Sequence, residues 1–364
     1  MNCRISHFLI LFLGFNVLLF SAVISDFFTG KLVWNRIISD YIHTQYFASY
    51  HLEFLKRGVV ATIFQFFSIA ATKLNIFVLN VILANLLFLV VWHLSKTVFM
   101  NINQKVWLIF MWVFIVSPAT AVQFGNDFGR FDPLNMLIMV VSVWIILNYK
   151  AIVINWAIPV LSGMAILIHE IYIFTGLPIV LATMYLRSQH VMLYLAFSSL
   201  GVVVFVVVLS LFVFGKADDI STINHLVSRA GKGADEFPVA VWTSSVFQNI
   251  EFTFERYLQF KTWTGIIRDM IILLPYLLLI WFVLRDVSQK RRFALILVSP
   301  FAVLPLFVLG IDFSRWVSMI VFNALIVLLI VLHYLNGEKK EIAVPKLLWF
   351  LLVALGLSGP LGVT

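Results

Sequence analysis

The sequence predicts an all-α, polytopic membrane protein with about 11 transmembrane helices, within a range of about 10–12. Three observations predict this class: 62% of the 364 residues are hydrophobic, only 12% are charged, and the mean hydropathy is +1.03. An ordinary soluble domain is about 45–50% apolar and about 25% charged, so this chain has too little polar surface to dissolve. A cytosolic enzyme, a secreted disulfide scaffold and a disordered regulator are therefore excluded.

Apolar runs recur along the whole chain, and a run of about 20 residues can cross a bilayer core of about 30 Å. We interpret residues 1–364 as a single integral membrane domain and residues 8–25 as a span that is retained, because no signal-peptide cleavage site follows them. The predicted spans are 8–25, 75–94, 106–123, 134–148, 152–168, 171–186, 191–214, 269–284, 293–309, 317–334 and 347–359.

Two long segments between the predicted spans form external loops, 26–74 and 215–268. The first contains the apolar stretch 58–72, which would cover only roughly 22 Å as a helix, so we predict a juxtamembrane or re-entrant helix there. The second mixes aromatic residues with Glu251 and Glu255 at an i, i+4 spacing. That pattern suits carbohydrate, but we favour an interfacial amphipathic helix that covers a lipid-linked substrate.

The basic residues predict the orientation of the chain. With the N-terminus inside, one face carries only Arg130 and Arg315 in its short loops. The other face carries twelve basic residues in short loops, which makes it cytoplasmic. These twelve are Arg4, Lys96, Lys105, Lys150, Arg187, Arg285, Lys290, Arg291, Arg292, Lys339, Lys340 and Lys346.

The acidic residues are distributed in the opposite way. All of the 17 except Asp286, Glu338 and Glu341 lie on or near the external side, so any chemistry is expected to face outward. Topology accounts for the net charge of +8, and no nucleic-acid partner is predicted. The single cysteine, Cys3, supports no redox or metal hypothesis.

The first candidate for chemistry is Asp40, in the segment ISDYIHTQY of the first long external loop. A carboxylate near the membrane surface could act as the general base that deprotonates an acceptor hydroxyl. A solvated loop residue or a helix cap is the simpler interpretation. Lys56 and Arg57, further along this loop, are typical of a snorkelling anchor and could also face a phosphate.

The second candidate is the segment QFGNDFGRFDPLN, with Asp127, Arg130 and Asp132 between two spans. An ionised residue at the bilayer centre costs upward of about 2.5 kcal/mol, so this cluster must lie at the interface or line a wet cavity. Asp132 precedes Pro133 and could simply cap the next helix. The i, i+3 spacing of Asp127 and Arg130 allows either a salt bridge or a phosphate-binding arginine oriented by a carboxylate.

Two further clusters lie between predicted spans. His169 and Glu170 interrupt an apolar run, which indicates either a functional pair or an interhelical hydrogen bond. The segment GIDFSRW contains Asp312, Arg315 and Trp316, which could form a structural interface belt or bind a diphosphate and stack on a sugar ring. The segments Asp-Phe-Gly-Arg at 127–130 and Asp-Phe-Ser-Arg at 312–315 also echo each other.

The positions of these acidic residues resemble those of the acidic residues in membrane glycosyltransferases of the GT-C type. In that family a long first external loop holds one acidic residue and a short second external loop holds another, places that Asp40 and the pair Asp127 and Asp132 would take. His169 and Glu170, followed by Pro178, are similar to a His-Glu element of some members. The compact length, the basic residues on outward loops and the long external loop also resemble the Wzy-type O-antigen polymerases.

Both resemblances imply glycosyl transfer from a polyprenyl-phosphate or polyprenyl-diphosphate donor to a carbohydrate acceptor, on the periplasmic face of the bacterial inner membrane. Asp40 or Asp127 would deprotonate the acceptor, while Arg130 and Arg315, with Lys56 and Arg57, would stabilise the departing phosphate. Carboxylates could also hold Mg²⁺ or Mn²⁺. A chain-length regulator and a flippase are the expected protein partners of a polymerase in surface polysaccharide and lipopolysaccharide assembly.

Other functions stay open at this stage. The transfer of single sugars from a polyprenyl-phosphate sugar is the alternative within the same class. A flippase for lipid-linked oligosaccharide is the alternative from another class, although charges gathered at one face favour an enzyme over a transporter with midplane charges. An acyltransferase with His169 as the base is a third reading, and a structural scaffold ranks last.

Overall fold

The computed structural model describes residues 2–51, 56–99, 104–187, 192–214, 246–285, 293–335 and 345–356. These ranges fold into helices and turns, and none of them forms a strand. The helices are α1 (Asn2–Leu19), α2 (Ser21–Phe28), α3 (Trp34–Ile37), α4 (Asp40–Gln45), α5 (Gly58–Phe66), α6 (Lys73–Phe99), α7 (Gln104–Val116), α8 (Ala121–Asn126), α9 (Asp132–Asn148), α10 (Ala151–Ile168), α11 (Tyr172–Thr175), α12 (Leu177–Arg187), α13 (Met192–Phe214), α14 (Val246–Tyr257), α15 (Phe260–Leu284), α16 (Ala294–Val298), the 3-10 helix Ser299–Val303, α17 (Leu306–Leu309), α18 (Phe313–Leu335) and α19 (Lys346–Gly356).

Five helical segments are long and apolar enough to cross a membrane within the described ranges. They are Lys73–Phe99, Gln104–Asn126, Ala151–Ile168, Lys261–Val283 and Phe313–Leu335. The helices α1 and α2, bent by 55° at the break between them, make a sixth span if they are counted as one. Four shorter apolar helices accompany them, at Asp132–Asn148, Tyr172–Arg187, Leu195–Leu211 and Ala294–Leu309.

The outer surface of the helices is suited to lipid. Leu74, Val78, Ile82 and Leu86 of α6 recur every fourth residue and are all 43% exposed or more. Four-residue spacing places side chains on one face of a helix, so this exposed stripe is continuously apolar. The chain is therefore a helical membrane protein, as the sequence predicts.

Helix α18 forms the centre of the packing. It is apolar on nearly all sides. Of its most apolar 18-residue stretch, 94% is buried, against 39% for the corresponding stretch of α6. A helix that is apolar all round must be covered all round, and α15, α6 and the 3-10 helix supply that cover. The N-terminal end of α18 thus begins inside the protein, with Asp312 just before it and Arg315 in its first turn.

Polar contacts also connect neighbouring helices. Asn16 of α1 and Asn85 of α6 exchange hydrogen bonds, with Nδ2 to Oδ1 distances of 2.9 and 3.1 Å. An interhelical hydrogen bond of this kind contributes about 0.6–2 kcal/mol in a membrane. Such a pair fixes the register between two helices whose surfaces are otherwise mostly apolar.

Several helices differ in extent from the predicted segments: 106–123 is interrupted between α7 and α8, and 293–309 is divided among α16, the 3-10 helix and α17. Helix α5 has nine residues, or roughly 14 Å, and the chain then turns at Ser68, whose φ is 54°. Helix α15 begins at Phe260 and not at 269, because polar residues such as Lys261 and Arg268 lengthen a helix beyond its apolar core without breaking it. Residues 215–245 of the predicted external loop, the charged segments 286–292 and 336–344, and residues 357–359 lie outside the described ranges.

Candidate functional site

Ion pairs and a histidine hydrogen bond join three short connections at the ends of the apolar helices. They are the connection from α8 to α9, the connection from α10 to α11, and the residues before α18. Arg315 is central to these pairs. Its guanidinium group binds both carboxylate oxygens of Asp132, with Nε to Oδ2 and Nη2 to Oδ1 distances of 2.5 Å. Both side chains are nearly buried, at 12% and 10% exposure. A two-pronged arginine–carboxylate pair is the strongest common form of ion pair, so it fixes α9 against α18.

The two Asp-Phe-x-Arg segments come together in space. In the first, Arg130 Nε lies 3.2 Å from Asp127 Oδ1, and in the second, Arg315 Nη1 lies 2.9 Å from Asp312 Oδ2. Arg130 Nη1 also reaches Asp312 Oδ2, at 3.2 Å. Asp312 therefore shares one oxygen between the arginines of both segments, and the sequence echo corresponds to one connected cluster.

His169 and Glu170 join the cluster from the end of α10. Glu170 accepts from Arg57 at 2.6 Å (Nη2 to Oε1) and 3.2 Å (Nε to Oε2). His169 Nδ1 lies 3.2 Å from Glu170 Oε2, and His169 Nε2 lies 3.2 Å from Arg315 Nη2. An arginine can only donate, so Nε2 is the acceptor and Nδ1 carries the proton that is donated to Glu170.

Electrostatics keep this histidine neutral and the surrounding carboxylates ionised. Burial, together with the charge of Arg57, lowers the pKa of His169 to about 4. Burial alone would raise the pKa of Glu170, but Arg57 and His169 hold it well below its ordinary value. Against the same effect of burial, Arg130 and Arg315 lower the pKa of Asp312. Glu170 and Asp312 are thus ionised beside the three arginines of the cluster.

A glycine and a tyrosine hold the connection that carries Arg130. Gly129 has a φ of 96°, and a Cβ there would lie 2.4 Å from Cγ2 of Ile42 and 3.1 Å from Cγ2 of Ile76. Only glycine suits this conformation and this closeness. The hydroxyl of Tyr46 donates to the carbonyl oxygen of Gly129 at 2.8 Å. Because burial raises the pKa of Tyr46, the hydroxyl remains a donor.

Two narrow clefts open beside the cluster. One, of ≈ 280 Å³ including its mouth, is lined by Gln123, Phe124, Asp127, Arg130, Asp132, Pro133, Met136, Arg315, Ser318 and Met319. We call it the arginine-side cleft. The other, of ≈ 260 Å³, is lined by Asp132, Asn135, Met136, Met139, Ile171, Thr175, Gly176, Met319 and Asn323, and we call it the amide-side cleft. Both volumes include open space at the mouth, and the enclosed part of each cleft has room for about one water-sized group, so only a small part of a ligand is buried there.

Asp40 lies apart from the ion pairs of the cluster. Its carboxylate receives hydrogen bonds from Lys73 Nζ at 2.6 Å and Asn35 Nδ2 at 3.2 Å, and it lines neither cleft. Its neighbour Tyr41 does reach the cluster, because its ring centre lies 5.9 Å from the guanidinium carbon of Arg130. The structure thus brings the loop of Asp40 to the cluster, but through the next residue.

The remaining predicted residues are divided. Arg57 binds Glu170, whereas Lys56 precedes it in a turn outside the lining of both clefts. Trp316 is only 5% exposed, and its ring packs 5.1 Å from the guanidinium carbon of Arg315. The ring therefore presents little surface to a sugar or to the headgroup region, and its stacking on a sugar stays a prediction.

Three uncharged amides were missed by the sequence reasoning. Gln123 Nε2 donates to Asp127 Oδ2 at 2.6 Å, Asn135 Nδ2 donates to the carbonyl oxygen of His169 at 3.1 Å, and Asn323 Nδ2 donates to that of Thr175 at 2.8 Å. The spacing of Gln123 and Asn135 could have revealed these two. Gln123 is four residues before Asp127, and Asn135 is three after Asp132, so each shares a helical face with a charged residue that was singled out.

The described carboxylates are not gathered into a ready-made site for a divalent cation. No group of three or more His, Cys, Asp or Glu side chains is placed to hold a metal ion in the described ranges. The acidic side chains of the cluster are instead each paired with an arginine. The predicted use of Mg²⁺ or Mn²⁺ thus has no group of ligands in these ranges.

Comparisons with known proteins assign the chain to no family. No family model matches the chain, and no curated protein or solved structure is significantly similar to it. What identifies the site is therefore its own chemistry: a half-buried arginine–carboxylate cluster at the ends of apolar helices, with Asp132 lining a cleft on each side.

Proposed function

We propose that the protein is an integral membrane glycosyltransferase of bacterial surface polysaccharide assembly. It joins polyprenyl-diphosphate-linked oligosaccharides on the periplasmic face of the inner membrane. The observation that carries this proposal is the convergence of Arg57, Arg130 and Arg315 at the ends of apolar helices, with a cleft lined by two of them. Placing charged side chains among apolar helices costs free energy, so charged residues there indicate a function. Recognition of a lipid phosphate is one that arginine suits.

The reaction assigns a separate task to each group. The acceptor hydroxyl oxygen attacks the anomeric carbon of the donor sugar, and the bond from that carbon to the phosphate oxygen breaks. The lipid diphosphate leaves with the bonding electrons, and Asp127 takes the hydroxyl proton. Arg130 and Arg315 stabilise the charge on the leaving phosphate, as positioned donors do for developing anions in other enzymes.

Phosphate binding has to compete with the existing ion pairs. Asp312 holds both arginines through one oxygen, and at 38% exposure it is the most accessible carboxylate of the cluster. We infer that the phosphate takes the place of Asp312 between Arg130 and Arg315. The pair of Arg315 with Asp132 is more buried and keeps its geometry. Arg315 therefore stays in position while the phosphate replaces Asp312 as its other partner.

Asp127 is favoured over Asp40 as the base. Asp127 lines the arginine-side cleft and is oriented by Gln123 and Arg130. Asp40 is held by Lys73 outside that cleft. A base must come within hydrogen-bond reach of the hydroxyl it deprotonates, which a residue in the lining can do.

The finer topology belongs to the same proposal. The bent pair of α1 and α2, the four shorter apolar helices and α19 join the five long spans, which gives about 11 crossings in a GT-C-like arrangement. The N-terminus is cytoplasmic, and a flippase and a chain-length regulator act beside the enzyme. A relative that adds single sugars from a polyprenyl-phosphate sugar would use the same cluster.

Transfer by the purified protein in lipid nanodiscs tests this function. The substrates are undecaprenyl-diphosphate-linked oligosaccharide and, separately, an undecaprenyl-phosphate sugar with a glycolipid acceptor, and products are followed by mass spectrometry. We expect the first substrate to be joined into longer chains, and Arg130→Lys and Arg315→Lys to lower the rate at least about 100-fold. Lysine keeps the charge but not the fork that grips phosphate.

The matched control is Arg36→Lys. Arg36 also pairs with an aspartate, Asp26, but it is 52% exposed and lies outside the cluster, so its replacement leaves transfer unchanged. Full transfer by both cluster variants, or no transfer of either substrate by the unaltered protein, contradicts the proposal. Transfer from the monophosphate sugar alone identifies the single-sugar enzyme.

A further inference from the structure

The two clefts share one wall but have different chemistry. Asp132, Met136 and Met319 line both. Arg130 and Arg315 line only the arginine-side cleft, whereas the amide-side cleft has no basic residue in its lining. In the arginine-side cleft two arginines balance the charges of Asp127 and Asp132, whereas Asp132 is the one charged residue in the lining of the amide-side cleft. A phosphate is therefore suited to the first cleft and not to the second.

Asn135 supplies an unused acceptor to the amide-side cleft. The side chain is 3% exposed, and its Oδ1 has no hydrogen-bond partner among the described residues. The orientation of this amide is fixed, because its Nδ2 donates to the carbonyl oxygen of His169, which can only accept. A buried acceptor without a partner is unfavourable, so a ligand that donates to it gains binding free energy.

The other polar side chains of this cleft also carry oxygen atoms that can accept. Asn323 uses Nδ2 to donate to the carbonyl oxygen of Thr175, and the hydroxyl of Thr175 donates to the carbonyl oxygen of Ile171. The rest of the lining is mainly methionine, whose flexible side chains suit a small apolar group. The cleft thus selects a neutral group that combines a hydrogen-bond donor with a methyl-sized apolar part.

We propose that the amide-side cleft binds the acetamido group of a 2-acetamido sugar. The N–H of the group donates to Asn135 Oδ1, and its methyl group packs among Met136, Met139 and Met319. This inference rests on the proposed function, in which the arginine-side cleft holds the lipid phosphate. The sugar lies between them, on the shared wall formed by Asp132.

Direct binding of free sugars tests the cleft without any transfer reaction. Saturation-transfer NMR is recorded on the full chain in nanodiscs with N-acetylglucosamine and with glucose. We expect saturation to be strongest at the acetamido methyl protons and glucose to bind more weakly. Asn135→Ala lowers the affinity for N-acetylglucosamine by about two- to tenfold, the effect of one hydrogen bond.

Two further variants separate binding from folding. Asn148→Ala is the matched control, because Asn148 lies on the same helix and donates to the carbonyl oxygen of Trp144 outside both clefts. It leaves the affinity unchanged. Met139→Phe places a larger side chain in the amide-side cleft and not in the arginine-side cleft. It abolishes binding although Asn135 is intact. Thermal unfolding of each variant confirms that it is folded.

Three results would overturn the inference: equal affinity for the two sugars, no binding of N-acetylglucosamine, or the same loss in Asn148→Ala as in Asn135→Ala. The proposed function fails separately, and is tested by binding of undecaprenyl phosphate to the unaltered protein. If N-acetylglucosamine binds and undecaprenyl phosphate does not, the sugar site stands and the proposed function falls. The reverse result overturns the sugar site alone.

Discussion

His169 is held neutral by two neighbours that require opposite roles of its ring. Arg315 needs an acceptor at Nε2, and Glu170 accepts from Nδ1. A protonated ring would have to donate to Arg315, a cation that cannot accept, so protonation breaks that contact. This single residue links the arginine that grips Asp132 to the carboxylate that holds Arg57.

The stability of the protein should therefore depend on pH through His169. Its pKa is about 4 in the folded chain and about 6.5 when unfolded, so between these values the unfolded state binds more protons. The contribution of His169 to stability is fully present above about pH 6.5 and decreases as the pH falls toward 4. We expect the midpoint of thermal unfolding in detergent to fall by several degrees between pH 7 and pH 5.

The matched variant is His169→Gln, which keeps a polar side chain of similar reach but does not titrate. Its unfolding midpoint should change less over the same pH interval than that of the unaltered protein. Equal pH dependence of the two proteins would mean that other groups determine the acid sensitivity, and that His169 is not the buried neutral residue described here.

The charged residues of the site were predictable one by one, but their pairing was not. Placing an ionisable side chain among apolar residues costs free energy, and this cost singles out Asp127, Arg130, His169 and Arg315 in the sequence. Which partner each one takes depends on how α9 and α18 approach, over 183 residues of separation for Arg315 and Asp132. The buried amides escaped notice because an uncharged residue in a span costs less and leaves a weaker signal.

At the scale of elements, the connection from α8 to α9 is held by contacts on two sides. Tyr46 donates to the carbonyl oxygen of Gly129, and Asn80 of α6 donates to the hydroxyl of Tyr46 at 3.3 Å. Ile42 of α4 fills the space where a side chain at position 129 would lie. The segment between α2 and α6 thus supports the arginine of the connection from α8 to α9, which explains why a residue near Asp40 reaches the cluster.

Gly129→Ala should be far more damaging than Gly30→Ala. Both glycines have positive φ, 96° and 66°, but a Cβ at Gly30 meets nothing within 4 Å, whereas one at Gly129 meets Ile42 at 2.4 Å. Both variants have backbone strain of about 1–2 kcal/mol, and Gly129→Ala adds about 1–3 kcal/mol for the clash. Chemical unfolding in detergent compares them directly.

The consequence for the site provides a second measurement. Because Gly129 precedes Arg130, Gly129→Ala should also weaken the binding of undecaprenyl phosphate, while Gly30→Ala should not. If the two variants lose equal stability, the close approach of Ile42 does not constrain this connection. Equal binding by both would mean that the connection does not position Arg130.

At the scale of the whole molecule, the class was predictable because it depends on composition alone. Long apolar runs indicate membrane helices wherever they occur, and α6, α10 and α18 lie close to the predicted spans. The ends of helices were less predictable. Residues 260–268 continue α15 although they are partly polar, since helix length is set by backbone hydrogen bonds and capping and not by hydropathy.

Sidedness is the property of the whole molecule that the proposed function needs most. Helix α9 carries Asp132 at its first residue and ends at Asn148, 17 residues or roughly 25 Å away, beside Tyr149 and Lys150. If the cluster is periplasmic, these last residues are cytoplasmic. Asn35, whose Nδ2 donates to Asp40, lies near the cluster end, and both Asn35 and Tyr149 are exposed.

Single cysteines at these positions report the orientation, in a chain whose only native cysteine is removed by Cys3→Ser. A membrane-impermeant thiol reagent applied to intact spheroplasts should label Asn35→Cys at once and Tyr149→Cys only after the membrane is permeabilised. Both substitutions avoid the cluster, so the fold and the ion pairs are preserved. Labelling of Tyr149→Cys alone from outside would place the arginines in the cytoplasm, where a periplasmic polymerase cannot work; labelling of both from one side would mean that α9 does not cross.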